Sequence, residues 1–429
     1  MTDRRRVVIT GLGLVSAYGE GAELAWTQLC AGRSGISRIT RFDAGGLPVG
    51  IAAQVPDTCW ASITERTPRW EGRDRIARLA AAAAQAAVLD AHAPFDHAAD
   101  RAGVVVATGT GVFEVEEVFG ACAGTRPARQ GPMDWAAVAA NLRRCGQPEL
   151  LRRRSPGSVP ADIAAQFGLE GPVMSVMTAC AGGTHAIGDA VRWIRTGRAD
   201  VVLAGGADSE IDVMGVASFA LLGALSRQPD PQTASRPFDA ARDGFVLGEG
   251  AAMLVLEERE RAMARGARIY AEVAGFGQAC DAFRATDPHP DGRGATAAMS
   301  LAIADAGLVP TDISYINAHG TSTVANDLAE TVAIRRVFGA HADRLAVSST
   351  KSMLGHALVA AGAIEAAVTA LSIAHQHVHP TANLDTPGPG CDLDYVPGMS
   401  RPLPISAALS NSFAFGGQTA CLALTPWER

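Results

Sequence analysis

The sequence predicts an α/β protein made of two comparable halves, on three observations. Short β-branched runs alternate with Ala-rich segments, those segments carry apolar residues at spacings of three and four, and in both halves a strand leads through a reactive or polar position into a helix. A chain of 429 residues has room for two or three domains, or for one large duplicated unit.

The buried strands read as Val7–Thr10, Gly103–Thr108, Val173–Met177, Val201–Ala204, Met253–Leu256, Tyr270–Ala274, Ile313–Asn317, Leu345–Ser348 and Ala407–Ser410. Helical patterns occupy Ala22–Cys30, Ile76–Asp90, Ala181–Arg195, Ala295–Ala306, Asn326–Val337 and Gly355–His375. Ser235–Glu258 opens with Pro and Gly and passes into a strand, so it reads as the hinge between an N-terminal half, residues 1–250, and a C-terminal half, residues 251–429. The spacing of motifs gives no solenoid or propeller repeat.

Composition excludes several classes. Apolar residues make up 48% against 19% charged, which suits a buried core and not a disordered chain. The net charge of −7 argues against a nucleic-acid clamp, and any anionic partner must meet a local basic patch. Eight cysteines are scattered without a Cys-x-x-Cys pair, so neither a zinc ribbon nor a disulfide scaffold is expected, and the compartment reads as reducing and cytoplasmic. Arg4, Arg5 and Arg6 before an apolar stretch imitate a signal peptide, but Gly11 and Gly13 interrupt the run, and a first strand with a glycine turn explains it better. Ile76–Leu89 and Ala357–Ala374 are broken by Arg78, Gln85 and Glu365, short of an uninterrupted membrane span.

Four segments carry candidate chemistry. In TACAGGTHAIG, Cys180 follows a strand and opens a helix, where free N–H groups and the helix dipole favour a thiolate nucleophile; the other seven cysteines read as small buried hydrophobes. In INAHGTSTVANDLAE, His319 lies at the carboxyl end of a strand, where open α/β sheets bind ligands, followed by the hydroxyls of Thr321, Ser322 and Thr323. SSTKSMLGHALVAAGAIEAA holds Lys351, His356 and Glu365. Lys351 is the only lysine among 37 basic residues, and its survival points to a task that a guanidinium cannot perform. ALSNSFAFGGQTACLAL carries Phe413, Phe415, Gly416 and Gly417, a loop whose glycines let backbone approach a ligand.

Two weaker patterns are set aside. Gly11-x-Gly13 lacks the third glycine and acidic partner of a dinucleotide fingerprint. His375, His377 and His379 alternate near Pro380 without a Cys or carboxylate set, so they read as surface or strand-edge residues and not as a metal site.

In order, Cys180, His319, Lys351, His356 and the Phe-Gly-Gly loop resemble the β-ketoacyl-acyl-carrier-protein synthases of the elongating type. The resemblance runs from VVITGLG at Val7 through SRPFD at Ser235, HGTST at His319 and KSMLGH at Lys351 to NSFAFGG at Asn411. It implies the thiolase fold, two pseudo-symmetric α/β halves in a layered αβαβα arrangement. It also implies decarboxylative condensation of an acyl-enzyme thioester with malonyl-acyl-carrier protein, in fatty-acid or type II polyketide elongation. By position, Cys180 is the nucleophile, His319 and His356 flank the malonyl thioester, and Lys351 organises His356. Glu330 and Glu365 support the site. The backbone N–H groups of Cys180 and Phe415 form the oxyanion hole, Phe415 is the gate, and Thr321 and Thr323 bind the phosphopantetheine arm. No metal or cofactor of its own is implied; the 4′-phosphopantetheine arrives on the acyl carrier protein.

The sequence departs from the family pattern at Ala414, Gln418, Thr419 and Arg284, which points to a specialised acyl range. Val112 and Phe113 are candidate tunnel walls, and Arg69, Arg73, Arg75 and Arg227 are candidates for docking an acidic carrier. The partner is a second copy or a chain-length-factor-like subunit. A chain-length-factor role for this chain itself is the alternative, and Cys180 with both histidines argues against it. A degradative thiolase would need a second active cysteine near the C-terminus, where Cys421 reads as core.

Overall fold

The computed structural model describes residues 4–92, 94–95, 99–109, 119–120, 122–125, 133–145, 155 and 157–427. Val112 and Phe113 lie outside them. The first half contributes β1 (Val7–Ser16), β2 (Ala102–Thr108), β3 (Val173–Val176), β4 (Val201–Ser209) and β5 (Glu249–Glu258). The second contributes β6 (Ala271–Cys280), β7 (Tyr315–Asn317), β8 (Ala346–Ser348), β9 (Ala408–Phe413) and β10 (Gln418–Thr425). Their order is β8-β7-β9-β10-β6-β1-β5-β4-β2-β3.

The order reads the same from either end. In each half the three outer strands run parallel, and two antiparallel strands follow toward the middle. Among the described residues, the strands of the two halves pair at two positions, Val8 with Glu272 and Ile9 with Ala271. β5 pairs with β1 and β4 inside the first half, so the junction expected at residue 250 falls within a strand.

The helices used below are α1 (Ala22–Cys30), α2 (Arg75–Asp90), α3 (Ser158–Phe167), α4 (Gly182–Arg195), α5 (Arg293–Asp305), α6 (Val324–Phe338) and α7 (Ala361–His375). α2 and α3 cover the outer face of the first half, and α5, with α6 against it, covers the second. α4 and α7 pack on each other between the two halves, which makes the αβαβα layering. Leu358–His375 is long and apolar enough by composition to cross a membrane, with mean hydropathy 1.6, but 89% of it is buried in the protein, as a central core helix requires.

Gly11 and Gly13 serve this packing. A Cβ at Gly13 would stand 1.9 Å from the carbonyl oxygen of Ala83, so only glycine lets the Ala-rich α2 lie on β1. The second half repeats the device: a Cβ at Gly277 on β6 would stand 2.1 Å from the carbonyl oxygen of Ala298 on α5.

The helix expected over Gly355–His375 is broken. Lys351–Leu354 forms one helical turn, Gly355 and Leu358 take φ of +62° and +45°, and α7 starts at Ala361. The reason lies in backbone pairing: His356 N–H donates to Val246 O (2.7 Å) and His356 O accepts from Gly248 N–H (2.9 Å), bonds that a helix would have used internally.

Candidate active site

Strand ends from both halves converge on one cavity of about 300 Å³, lined by Cys180, His319, His356, Thr321, Thr323 and Phe415 among others. Cys180 sits in a 3₁₀ turn, Ala179–Ala181, between β3 and α4, with Ala179 at φ +46°. The helix itself starts at Gly182, so Cys180 precedes it instead of opening it. A Cβ at Gly183 would meet the backbone of Ala363 at 2.5 Å, so the paired glycines let α4 and α7 cross directly beneath the thiol.

His356 Nε2 lies 3.1 Å from Cys180 Sγ. The backbone N–H groups of Phe415 and of Cys180 itself also face the sulfur. Burial pushes the Cys180 thiol up to about 12, against the pull of the Lys351 charge and those N–H groups. Desolvation thus outweighs the favourable helix end expected from the sequence, and the resting form is the thiol.

His319 follows β7, and its ring meets that of His356 edge-on at 5.4 Å. Burial holds both imidazoles well below the usual histidine range, and the Lys351 charge adds to it, so both are neutral. Glu330 on α6 fixes the turn after His319: its carboxylate accepts from His319 N–H (2.9 Å), Gly320 N–H (2.8 Å) and Asn411 Nδ2 (3.1 Å).

Lys351 is fully buried and meets His319, not His356. Its Nζ donates to the His319 carbonyl oxygen at 2.7 Å, lies 3.3 Å from His319 Nδ1 and pairs with Glu365. This corrects the expectation that Lys351 organises His356: the lysine stem rises from the turn after β8 directly under the neighbouring end of β7, because those strands are paired. Burial pushes the Glu365 carboxyl up, to about 7, and the Lys351 ammonium pulls the other way. An ammonium donating to Nδ1 leaves the His319 proton on Nε2, the nitrogen on the opposite side of the ring.

His356 Nδ1 is buried and has no partner. Its ring is held by the Nε2 contact with Cys180 Sγ and by packing, edge-on to Phe245 at 5.1 Å. Phe245 and Asp208 were not singled out in the sequence. Asp208, at the end of β4, accepts from Val359 N–H (3.0 Å) and secures the turn after His356. Neither carries a local signal, since their partners lie more than a hundred residues away. Thr321 and Thr323 join hydroxyls at 2.9 Å on the cavity wall.

Among the described residues no group of three His, Cys, Asp or Glu is arranged to hold a metal ion. Three buried oxygens near Lys351 and Glu330, namely Glu365 Oε2, Ser410 Oγ and Asn411 Oδ1, have no protein partner. They are acceptors of the kind that water satisfies.

Other sequence expectations change. Arg73 is buried against Asp162 (2.9 Å) and Ser158 (2.7 Å), and Arg75 forks onto the buried Glu249 (2.6 and 2.7 Å), so neither is a free docking cation; Arg69 and Arg227 are exposed. His375 stacks on Trp26 at 5.5 Å, whereas His379 is fully buried and bonds Pro380 O and Thr350, so it is a core residue and not a surface one. Ala414 has φ −123° and ψ 158°, extended backbone that any residue adopts, so the departure from glycine there costs no strain. Arg284 is exposed and pairs with Asp287. Gln418 opens β10 opposite Cys280, and Thr419 bonds Ala279 O (3.0 Å) and Gly294 O (3.1 Å).

A cysteine and two neutral histidines at the mouth of a doubled α/β fold define an acyl-transferring condensing enzyme of thiolase type. The chain belongs to the β-ketoacyl synthase family: its N-terminal domain family matches residues 4–262 and its C-terminal domain family residues 270–385. It is 44% identical to the 3-oxoacyl-[acyl-carrier-protein] synthase 2 of Synechocystis sp. over 99% of both chains, and 41% identical to that of Staphylococcus aureus over the whole of both. Among solved structures it is similar to the ketosynthase of a type II polyketide system in complex with its acyl-carrier protein (TM-score 0.86, 34% identity, 99% and 100% of the two chains). The ishigamide ketosynthase/chain length factor is also similar (TM-score 0.84, 37% identity, the same coverage). The chain is a ketosynthase of the elongating kind, an acyltransferase that condenses acyl thioesters to β-ketoacyl products, and not a non-condensing partner subunit.

Proposed function

We propose that the acyl group is held on Cys180 and extended by malonyl-acyl-carrier protein, with roles divided as follows. Cys180 passes its proton to His356 Nε2 and attacks the incoming thioester carbonyl; the pantetheine sulfur leaves and takes that proton back. The N–H groups of Cys180 and Phe415 receive the oxyanion, donors typically worth about 3–4 kcal/mol of transition-state stabilisation. Malonyl thioester then loses carbon dioxide, and the enolate oxygen meets the Nε2–H of His319, with His356 beside it. The enolate carbon attacks the acyl-Cys180 carbonyl, and collapse releases the β-ketoacyl thioester and the Cys180 thiolate, which is reprotonated.

The observation that carries this reading is the 3.1 Å approach of His356 Nε2 to Cys180 Sγ, in a pocket where both histidines are neutral and able to donate and accept. Lys351, Glu330 and Glu365 position His319. Thr321 and Thr323 take the phosphopantetheine arm, Phe415 gates the mouth, and the carrier protein supplies that arm. We place the enzyme in the cytoplasm as a dimer, with itself or with a chain-length-factor-like subunit. β3 supports the dimer: among the described residues it is the outermost strand of the first half, paired on one side, with Val173 43% exposed and Met177, just past its end, 49% exposed.

The deciding experiment is intact-mass spectrometry after incubation with a panel of acyl-carrier thioesters. One acyl adduct per chain, absent in Cys180→Ala, is expected. An adduct that survives the substitution would overturn the assignment.

A further inference from the structure

We infer that the carrier protein docks on this enzyme through an apolar face around the cavity mouth and not through a ring of basic residues; this rests on the function proposed above. Leu222 and Val324 line the cavity and are 57% and 59% exposed. Leu222 directly follows the short helix Val213–Leu221, on which Met214 (37%) and Leu221 (89%) are also exposed. Spacings of seven and eight residues set Met214, Leu221 and Leu222 on one side of that helix. Val324 starts α6 on the other side of the same opening.

Charge points the same way. The cavity lining holds Asp243 and Asp287 and, among the described residues, no Arg or Lys. Arg284 is spent on Asp287 (3.2 Å), and Arg73 and Arg75 are locked in internal ion pairs. Arg227 is exposed, next to Asp243, which its backbone N–H bonds at 3.1 Å. Arg284 and Asp287 cancel, so an acidic face pressed on this rim would meet Asp243 and Arg227, with no net positive charge to draw it in.

Large exposed leucines at the rim of a pocket mark a contact surface, because isolation in water costs them what burial would return. The occupant is fixed by access: a thioester carried on a tethered arm enters through this mouth, so the body that carries it stands on the rim. The carrier suited to it presents aliphatic side chains at the base of its arm and a docking face of low net charge.

The test measures condensation kcat/KM for acyl-carrier substrates and for the same acyl group on free pantetheine, at low and high salt, in wild type, Leu221→Glu and the remote surface control Leu89→Glu. The expectation is that Leu221→Glu lowers the carrier-to-free ratio about tenfold, the scale of a lost interface anchor. Leu89→Glu leaves it unchanged, and in wild type the ratio changes by less than about threefold with salt, because apolar contact is not screened. A steep salt dependence with Leu221→Glu silent would overturn the proposal in favour of charged docking elsewhere. A change of oligomeric state in Leu221→Glu with an unaltered ratio would overturn it too, assigning the face to a second copy. If wild type extends neither substrate, the functional reading itself fails.

Discussion

Lys351 reaches beneath His319 and touches it twice, at the carbonyl oxygen (2.7 Å) and at Nδ1 (3.3 Å), while His356 has an unpartnered Nδ1 and its ring is held by the Nε2 contact with Cys180 Sγ (3.1 Å) and by packing. The two histidines of one cavity are therefore oriented by different neighbours, one by a buried charge and the other by Cys180 and Phe245.

Lys351→Arg is expected to fold normally and lose condensation. A guanidinium forks its bonds in a plane and does not fit between Glu365 and His319, so the His319 ring shifts; a misplacement of about 1 Å costs roughly a hundredfold in rate. Turnover is compared with exposed Arg→Lys controls at equal melting temperature, since single surface charges contribute little. Wild-type turnover in Lys351→Arg would show that an ammonium is not required there.

Cys180 in the free enzyme is expected to be alkylated slowly by iodoacetamide at neutral pH. With the thiol at about 12, the thiolate fraction grows about tenfold per pH unit, so the rate rises without levelling between about pH 7 and 9. A plateau in that window would place the thiol far lower and make the thiolate the resting form.

Cys180→Gln is expected to abolish chain extension and retain part of the malonyl decarboxylation. The amide removes the nucleophile, whereas His319, His356 and the N–H donors stay in place. Carbon dioxide and β-keto product are measured separately, and retained extension would refute the role of Cys180.

Gly13→Ala and Gly277→Ala are each expected to cost at least about 1–3 kcal/mol, the usual penalty of overpacking, because the added methyl meets a helix carbonyl. Gly46→Ala, where a Cβ meets nothing within 4 Å, is the silent control. Denaturant midpoints report the difference; equal midpoints would mean that α2 and α5 lift away at no cost.

The sequence by itself determined the fold class, and it picked out Cys180, His319 and His356, which the fold brings to one cavity, and Lys351, which the fold sets against His319. Strand and helix periodicity is local, and His319 and His356 stand next to Gly320 and Gly355, while Cys180 and Lys351 lie in the turns that follow strands. It overreached where backbone pairing was non-local: the helix read through Gly355–His375 breaks because His356 bonds to Val246 and Gly248. Only the tertiary structure decided which residue orders which. Lys351 serves His319 because β7 and β8 are neighbours, Arg73 and Arg75 are internal because Asp162 and Glu249 fold against them, and the Cys180 thiol rests protonated because the fold buries it. Distance along a chain carries no information about such pairings, and burial is a property of the whole fold. Both enter only when the chain folds and segments distant in sequence meet.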